Sequence, residues 1–334
     1  MRQPVLFREL TTFRVGGPVE NYIRAADAAE AVHIIKRCDA AHEPLLIIGS
    51  GSNILPSDDG FSGTVLTLVE SNIAYEDVEG GRVRVTADAG VNWDALVADT
   101  VARGLWGLEN LSAIPGAVGA APIQNIGAYG AEVSDTIEWV EAYDRHEQVI
   151  RRMVNSELDF GYRTSVFKKN PARFLVLRVA FLLSRAPMPN IAYKDLSARF
   201  GENISPPIAD IREAVREIRA GKFPDLTRYG TAGSFFLNPV LSREAAVTFL
   251  ARFPNALHFE SESGTKISLA WILDHIVGAK GMRSGGAFVW DKQPLVIATD
   301  AQATSRDVRA LAHMLTKKVF EATEIHIVPE VTFL

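Results

Sequence analysis

The apolar positions of this chain change period several times, and each change marks an element. Asn21 to Ala25 reads as a strand. From Asp27 to Ala41 the period is helical: Val32, Ile35 and Cys38 share a face, and Asp27 and Glu30 are spaced as a capping box. Leu45-Leu46-Ile47-Ile48 is a short apolar run, expected to be a buried strand. Arg82-Val83-Arg84-Val85-Thr86-Ala87 alternates as a half-exposed strand should. Trp93, Leu96, Val97 and Val101 return to helical spacing, after which residues 104–130 lose periodicity and fill with glycine and small side chains. A strand-rich stretch covers about 136–183. Its most apolar part, Phe174 to Leu183, is broken by Arg178 and reads as a buried strand rather than a membrane span.

Ile208, Ile211, Val215 and Ile218 mark a helix that Gly221 and Pro224 end. Ser242, Ser268 and Ser305 are N-cap candidates for three more helices, the last with Val308, Leu311, Ala312, Leu315 and Val319 on one face. Ile325 to Leu334 reads as a closing strand. Residues 325, 327, 331 and 333 face one way, and His326, Glu330 and Thr332 the other. Such a mixture is α+β. At about 150 residues per domain, a 334-residue chain suggests two or three domains, with boundaries near 72 and 224.

Charge and cysteine content narrow the picture. With 35 basic and 40 acidic residues, a net charge of −5 argues against nucleic acid as a partner. Cys38 is the only cysteine, which excludes an internal disulfide or a thiolate metal cluster and fits a reducing compartment. Met1-Arg2-Gln3-Pro4 lacks the apolar core of a signal peptide, so a soluble, cytoplasmic protein without a membrane partner is expected. The seven histidines show no ligand spacing, and no metal is expected.

Candidate chemistry begins with two glycine loops. The first, Gly49-Ser50-Gly51-Ser52-Asn53, follows a strand, as a phosphate cradle would. It reads equally as tight turns. It lacks the third glycine of a Rossmann fingerprint, and Pro56 follows instead of a helix; no Gly-Lys-Ser/Thr of a P-loop occurs. The second runs from Ile114 to Gly130, with four glycines and two prolines around Gln124 and Asn125, and reads as a ligand loop. No lysine or arginine lies between residues 38 and 81 or between 104 and 144. Phosphate at these loops would rest on backbone amides and small hydroxyls, which suits a buried dinucleotide pyrophosphate.

Taken alone, Arg163 reads as a surface arginine after a turn, Ser234 as a turn or N-cap serine, and Glu330 equally as a solvated strand carboxylate or a site group. The order of short motifs changes that reading. Gly49-Ser50-Gly51-Ser52-Asn53-Ile54-Leu55, Gly107-Leu108-Glu109-Asn110, Ile114-Pro115-Gly116, Asn125-Ile126-Gly127-Ala128-Tyr129-Gly130, Phe160-Gly161-Tyr162-Arg163, Ala232-Gly233-Ser234-Phe235-Phe236 and Pro329-Glu330-Val331 follow one another. From about residue 8 to the end, this set resembles the bacterial UDP-N-acetylenolpyruvoylglucosamine reductase family. Ile191-Ala192-Tyr193-Lys194-Asp195-Leu196 looks like the tyrosine loop of its type I branch.

The resemblance implies an α+β fold that is not Rossmann: a two-part FAD-binding domain of the vanillyl-alcohol-oxidase-like type and a C-terminal α+β substrate domain. The expected division is 1–71 with 325–334, then 72–223, then 224–324. It implies non-covalent FAD, reduced by NADPH, a nucleotide-sugar substrate with an enolpyruvyl ether, and a monomer. Arg163, Ser234 and Glu330 would be catalytic: the arginine on the substrate carboxylate, the serine as proton donor to C2, the glutamate beside both. The FAD set would be Gly49, Ser50, Gly51, Ser52, Asn53, Ile114, Pro115, Gly116, Gly119, Ala120, Asn125, Gly127, Tyr129 and Arg219. Tyr162, Tyr193, Lys222, Asn238, Lys280 and Gln293 would hold the substrate. Ala120-Ala121 departs from the family pattern, where small hydroxyls often stand. Another FAD oxidoreductase of the same fold is the alternative, separated from the first by NADPH oxidation coupled to the enolpyruvyl nucleotide.

Overall fold

Two chain segments far apart in sequence, Gly230–Ser234 and Val296–Thr299, pair as antiparallel neighbours, and so do Arg82–Asp88 and Phe174–Ser184. They belong to different compact units of a computed structural model that describes residues 4–201, 205–261 and 264–334. Met1-Arg2-Gln3, part of the signal-peptide reading, lies outside the described residues. One unit comprises Glu20–Ser50 and Ser62–Arg219; the other comprises the described residues of Met1–Val19, Gly51–Phe61 and Ala220–Leu334. Here they are called the loop unit and the C-terminal unit. By contacts, the segments before Val19 and around 51–61 group with the C-terminal part.

The loop unit carries a three-stranded sheet, a five-stranded sheet and the short pair Gly127–Ala128 with Ala131–Glu132. A three-stranded sheet has the order Val19–Ala25, Phe61–Leu68, Leu45–Ile47. Phe61–Leu68 was not legible in sequence because Ser62, Gly63 and Thr64 interrupt its apolar run. Leu45–Ile47, expected buried, is half-buried, and the burial falls on Ile48 instead. Helix Ala28–Ala41 is capped by Asp27, whose carboxylate accepts the Glu30 N–H at 2.8 Å. Glu30 reaches back one residue further than a capping box, to the Ala26 N–H at 2.7 Å. The buried face is Ala31, Ile34, Ile35 and Cys38, turned slightly from the expected one, with Val32 at its rim.

The five-stranded antiparallel sheet has the order Val149–Val154, Ile137–Asp144, Phe174–Ser184, Arg82–Asp88, Ile73–Val78. Phe174–Ser184 is central and mostly buried. Arg178 stands at a bulge opposite Glu141 and forms an ion pair with it at 3.1 Å. Helix Trp93–Ala102 starts at Asn92, which accepts the Ala95 N–H at 3.0 Å, and buried Trp93 donates its indole N–H to Leu111 C=O at 2.9 Å.

The C-terminal unit has a four-stranded sheet, Gly230–Ser234, Val296–Thr299, Ala287–Val289 and Arg283–Ser284, and a small sheet of Val240–Leu241, Gly264–Ile267 and His258–Ser261. Ser242 caps Arg243–Arg252 as expected. Ser268 heads only a short turn, Leu269–Trp271, that passes into a π-helix at Ile272–Ile276. Thr304, not Ser305, caps the long helix Ser305–Thr323: it exchanges bonds with Asp307, while Asp58 takes the Ser305 N–H at 2.7 Å. The closing strand is shorter than its alternation suggested. Ile325, Ile327 and Val331 are buried, yet the regular strand is only Thr332–Phe333, in parallel with Ile54–Leu55, preceded by a single antiparallel bridge between Pro329 and Phe236. Pro329 has no N–H to extend a ladder. Phe333, expected on the apolar face, is 37% exposed. Among the described residues no helix is long and apolar enough to cross a membrane, and no group of three His, Cys, Asp or Glu side chains could hold a metal ion.

Candidate active site

In the loop unit the second glycine loop is held by side chains from distant helices. Ala113, at φ +58°, donates its N–H to Asp94 Oδ1 at 2.6 Å and accepts from Arg219 Nε at 3.1 Å. Asp94 in turn takes two bonds from Arg212, at 2.7 and 3.0 Å. Burial opposes ionisation of Asp94, but the Arg212 guanidinium and the Ala113 N–H outweigh it and hold the carboxyl below its usual range. Burial lowers the pKa of Arg219 and pushes the Tyr129 phenol up to about 12, although the two side chains are hydrogen-bonded. Ile114-Pro115-Gly116 therefore leaves a fixed anchor.

Further along, Asn125 (φ +46°) donates to Glu132 Oε2 at 2.7 Å and Gly161 C=O at 3.2 Å, and accepts the Ser134 N–H at 3.1 Å. Gly161 and Thr164 exchange N–H and C=O bonds at 3.1 and 3.2 Å, closing a turn with Tyr162 exposed and Arg163 at φ +55°. The Arg163 guanidinium donates to Gly127 C=O at 2.7 Å and Asn125 C=O at 3.3 Å. Tyr129, also at positive φ, meets Tyr193 edge-to-face at 5.4 Å. Burial, then Asp195, raises the pKa of Tyr193. Thus Ile114, Gly116, Asn125, Gly127, Tyr129, Arg163, Tyr193 and Arg219 form one connected neighbourhood, with Tyr162 at its edge and Pro115 exposed on the loop.

The first loop crosses from one unit to the other after Ser50. Among the described residues, none accepts a hydrogen bond from the N–H groups of Gly49, Ser50, Gly51 or Ser52, nor from those of Ile114 and Gly116. The hydroxyls of Thr11 and Thr12, beside Gly51, are buried and have no partner among the described residues. Unsatisfied amides on lysine-free loops fit the pyrophosphate of FAD. Gly51 has a second constraint: at φ +60°, a Cβ there would lie 2.8 Å from Thr11 Cα. Gly119 and Ala120 differ from the expected phosphate donors. Their N–H groups are committed to Ala89 C=O (2.9 Å) and Ala117 C=O (3.0 Å), and a Cβ on Gly119 would lie 2.6 Å from Ala89 Cβ. Gly119 is a packing glycine.

In the C-terminal unit Gly230–Ser234 breaks register between Thr231 and Ser234, where Gly233 turns at φ +78°. Beyond it Phe235 donates to Leu295 C=O at 2.7 Å and accepts the Glu330 N–H at 2.8 Å; Leu237 donates to Val328 C=O at 3.0 Å. Segments 234–237 and 328–330 are thus antiparallel neighbours. Asn53 closes the group by donating to Glu330 C=O at 3.2 Å and accepting the Thr332 N–H at 3.0 Å. Buried Phe235 packs on Phe13 and Phe236.

Asn53, Ser234 and Glu330 are brought together; the other expected substrate residues of this unit are dispersed in role. Asn238 Oδ1 accepts the Leu269 N–H at 3.0 Å, Lys280 pairs with Asp274 at 2.7 Å, and Gln293 accepts the Leu295 N–H at 3.4 Å. Lys222 ends helix Ile208–Lys222. Sequence reasoning assigned no role to Asp94, Arg212, Asn110 or Glu132, which hold the loops. Only Asn110 left a signal, inside Gly107-Leu108-Glu109-Asn110. Its neighbour Glu109 is buried with its carboxylate on the Gly107 N–H at 2.7 Å, and burial raises its pKa.

Residues 19–152 match the FAD binding domain family, which sets the class of the protein. Residues 225–334 match the C-terminal domain of UDP-N-acetylenolpyruvoylglucosamine reductase. The UDP-N-acetylenolpyruvoylglucosamine reductase of Thermobifida fusca (strain YX) is 36% identical over 340 residues, covering 96% of this chain and 94% of that protein. That of Xanthomonas campestris pv. campestris (strain B100) is 40% identical over 329 residues, covering 97% and 93%. The crystal structure of UDP-N-acetylenolpyruvylglucosamine reductase from Thermus caldophilus superposes with a TM-score of 0.70 at 26% identity, covering 99% of this chain and 98% of that one. The chain belongs to the UDP-N-acetylenolpyruvoylglucosamine reductase family, as its motifs led us to expect, and its fold is α+β.

Proposed function

We propose that the chain catalyses its family's reaction: reduction by NADPH of the enolpyruvyl ether of UDP-N-acetylglucosamine enolpyruvate to UDP-N-acetylmuramate, a step of peptidoglycan precursor synthesis. The observation that carries the reading is the pairing of segments 234–237 and 328–330, which makes neighbours of Ser234 and Glu330, nearly a hundred residues apart in sequence. FAD supplies hydride transfer when bound. The amides of Gly49–Ser52, Ile114 and Gly116 would hold its pyrophosphate, with Asn53, Asn125, Tyr129 and Arg219 around it.

The substrate's demands explain the remaining residues. Hydride addition at C3 of the ether leaves negative charge at C2 and on the adjoining carboxylate. Arg163, whose guanidinium is oriented by Gly127 and Asn125, binds that carboxylate as a fixed cation. Ser234 donates a proton to C2; a serine hydroxyl is a weak acid, but a carbanion is a strong base. Glu330 stabilises or relays that proton. Tyr162, Tyr193, Lys222, Asn238, Lys280 and Gln293 bind the UDP and sugar. The three-stranded and five-stranded sheets of the loop unit fit a two-part FAD-binding domain, with divisions at 71 and 223 and the substrate domain over 224–324. A cytoplasmic monomer completes the reading. Incubating the purified protein with NADPH and the enolpyruvyl nucleotide tests it: a product heavier by two hydrogens is expected, and unchanged nucleotide beside a flavin-loaded protein would overturn it.

A further inference from the structure

Asn110 is only 2% exposed, and its amide nitrogen makes two hydrogen bonds, to Tyr129 C=O and to Asn190 C=O, each at 2.8 Å. The first acceptor lies at the tip of the second glycine loop. The second lies in the segment between Ser184 and Lys194, which has no helix or strand and carries Tyr193. Asn190 returns a bond from its own amide to Gly130 C=O at 3.0 Å. The Tyr129 and Tyr193 rings then meet edge-to-face. Much of the 185–193 segment is exposed, with Met188 at 65%. Bonds this few must do much of its ordering, and Asn110 supplies one of them from a buried side chain. The cost of keeping Asn110 is visible: its Oδ1 is buried without a hydrogen-bond partner among the described residues. A leucine would avoid that penalty, so the two donated bonds are the physical reason for an amide at this position.

We propose that Asn110 is a positioning residue for substrate binding: by bonding both carbonyls it latches the 185–193 segment onto the flavin loop and presets Tyr193 for the nucleotide. It acts through Tyr193 and touches no ligand itself. The inference rests on the reading of Tyr193 as a nucleotide contact. Preorganisation lost from the free protein weakens binding without altering the reacting groups, so the effect falls on KM and not on kcat.

The test compares Asn110→Leu, Tyr193→Ala and the double variant, all flavin-loaded. For Asn110→Leu, KM for the enolpyruvyl nucleotide should rise about tenfold, with kcat and the rate of flavin reduction by NADPH nearly unchanged. Calorimetric Kd for the product UDP-N-acetylmuramate should rise by the same factor. On the Tyr193→Ala background the added Asn110→Leu penalty should vanish. A full additional penalty in the double variant, or a fall in kcat at unchanged KM, would overturn the latch while leaving the Tyr193 assignment intact. Wild-type nucleotide affinity in Tyr193→Ala would remove that assignment and the inference with it. Should Asn110→Leu fail to fold, Asn190→Ala cuts the returning bond to Gly130. Its KM should rise about threefold, again only when Tyr193 is present, and an equal rise without Tyr193 would overturn the proposal.

Discussion

Ser234 and Arg163 reach their positions by opposite means. Around Ser234 the chain is extended, and main-chain bonds at Phe235, Leu237 and Glu330 run as in an ordinary antiparallel pair, with one glycine turn at Gly233. Around Arg163 the main chain turns repeatedly into the left-handed region at Ala113, Asn125, Tyr129 and Arg163, none of them glycine. Such residues cost on the order of 1–3 kcal/mol each and persist only where surroundings over-determine them. Here Asp94, Arg219, Asn110 and Ser134 supply that support through bonds between side chains and main chain, and Glu132 through a bond to the Asn125 side chain. A ladder suits a group that must deliver one proton from a fixed place. Strained turns suit a loop that must leave amides facing a ligand, because a regular element would consume them.

The contrast can be broken at either side. The largest effect is expected at the ladder: Ser234→Ala should slow substrate-driven flavin reoxidation by about 10²–10⁴-fold, measured by rapid-mixing absorbance, while NADPH-driven bleaching stays normal. Glu330→Gln should show the same asymmetry. If Ser234→Ala instead slowed bleaching and spared reoxidation, the acid assignment would fall.

The glycines come next. Gly51→Val combines a strained φ with a clash against Thr11, so it should lower Tm as well as flavin content. Gly119→Val should do likewise through Ala89. Gly127→Val should keep its Tm more nearly, because its φ is not left-handed and its Cβ would meet the Arg163 and Glu132 side chains at 3.0 Å and Ala131 C=O at 3.1 Å, looser than at Gly51 or Gly119; it should lose flavin and substrate affinity instead. Thermal denaturation beside flavin absorbance separates the two classes, and equal Tm losses in all three would erase the distinction. The smallest effects belong to Tyr193→Phe and Lys222→Ala, which should raise the nucleotide KM with flavin content unchanged, one lost charged contact costing roughly 1.5–3 kcal/mol. An unchanged KM in both would remove them from the substrate set.

The same contrast governs how much could be read from sequence. The ladder side was legible, since alternation from Ile325 to Val331 placed Glu330 opposite the buried residues, although Pro329 shortened the paired strand. The loop side was legible only as motifs. Nothing in the spacing of Asp94, Arg212 and Arg219 announces that Asp94 and Arg219 converge on Ala113 with Arg212 behind Asp94, because the contact is made by helices whose local sequence is ordinary. Gly51 and Gly119 look alike as letters, yet the first leaves its amide open and the second spends it on Ala89. Side-chain-to-main-chain bonds over long separations carry no periodicity, and this is why Asn110 stayed a motif letter without a role.

One measurement bears most directly on the account. The yellow, flavin-loaded protein is mixed with NADPH without oxygen, and the enolpyruvyl nucleotide is added after the absorbance has bleached. NADPH alone should bleach the flavin, and adding the nucleotide should rapidly restore the oxidised spectrum, with one UDP-N-acetylmuramate formed per flavin. A bleached protein that the nucleotide leaves bleached, but that oxygen restores, would be an oxidase of the same fold, and would contradict the proposed reaction.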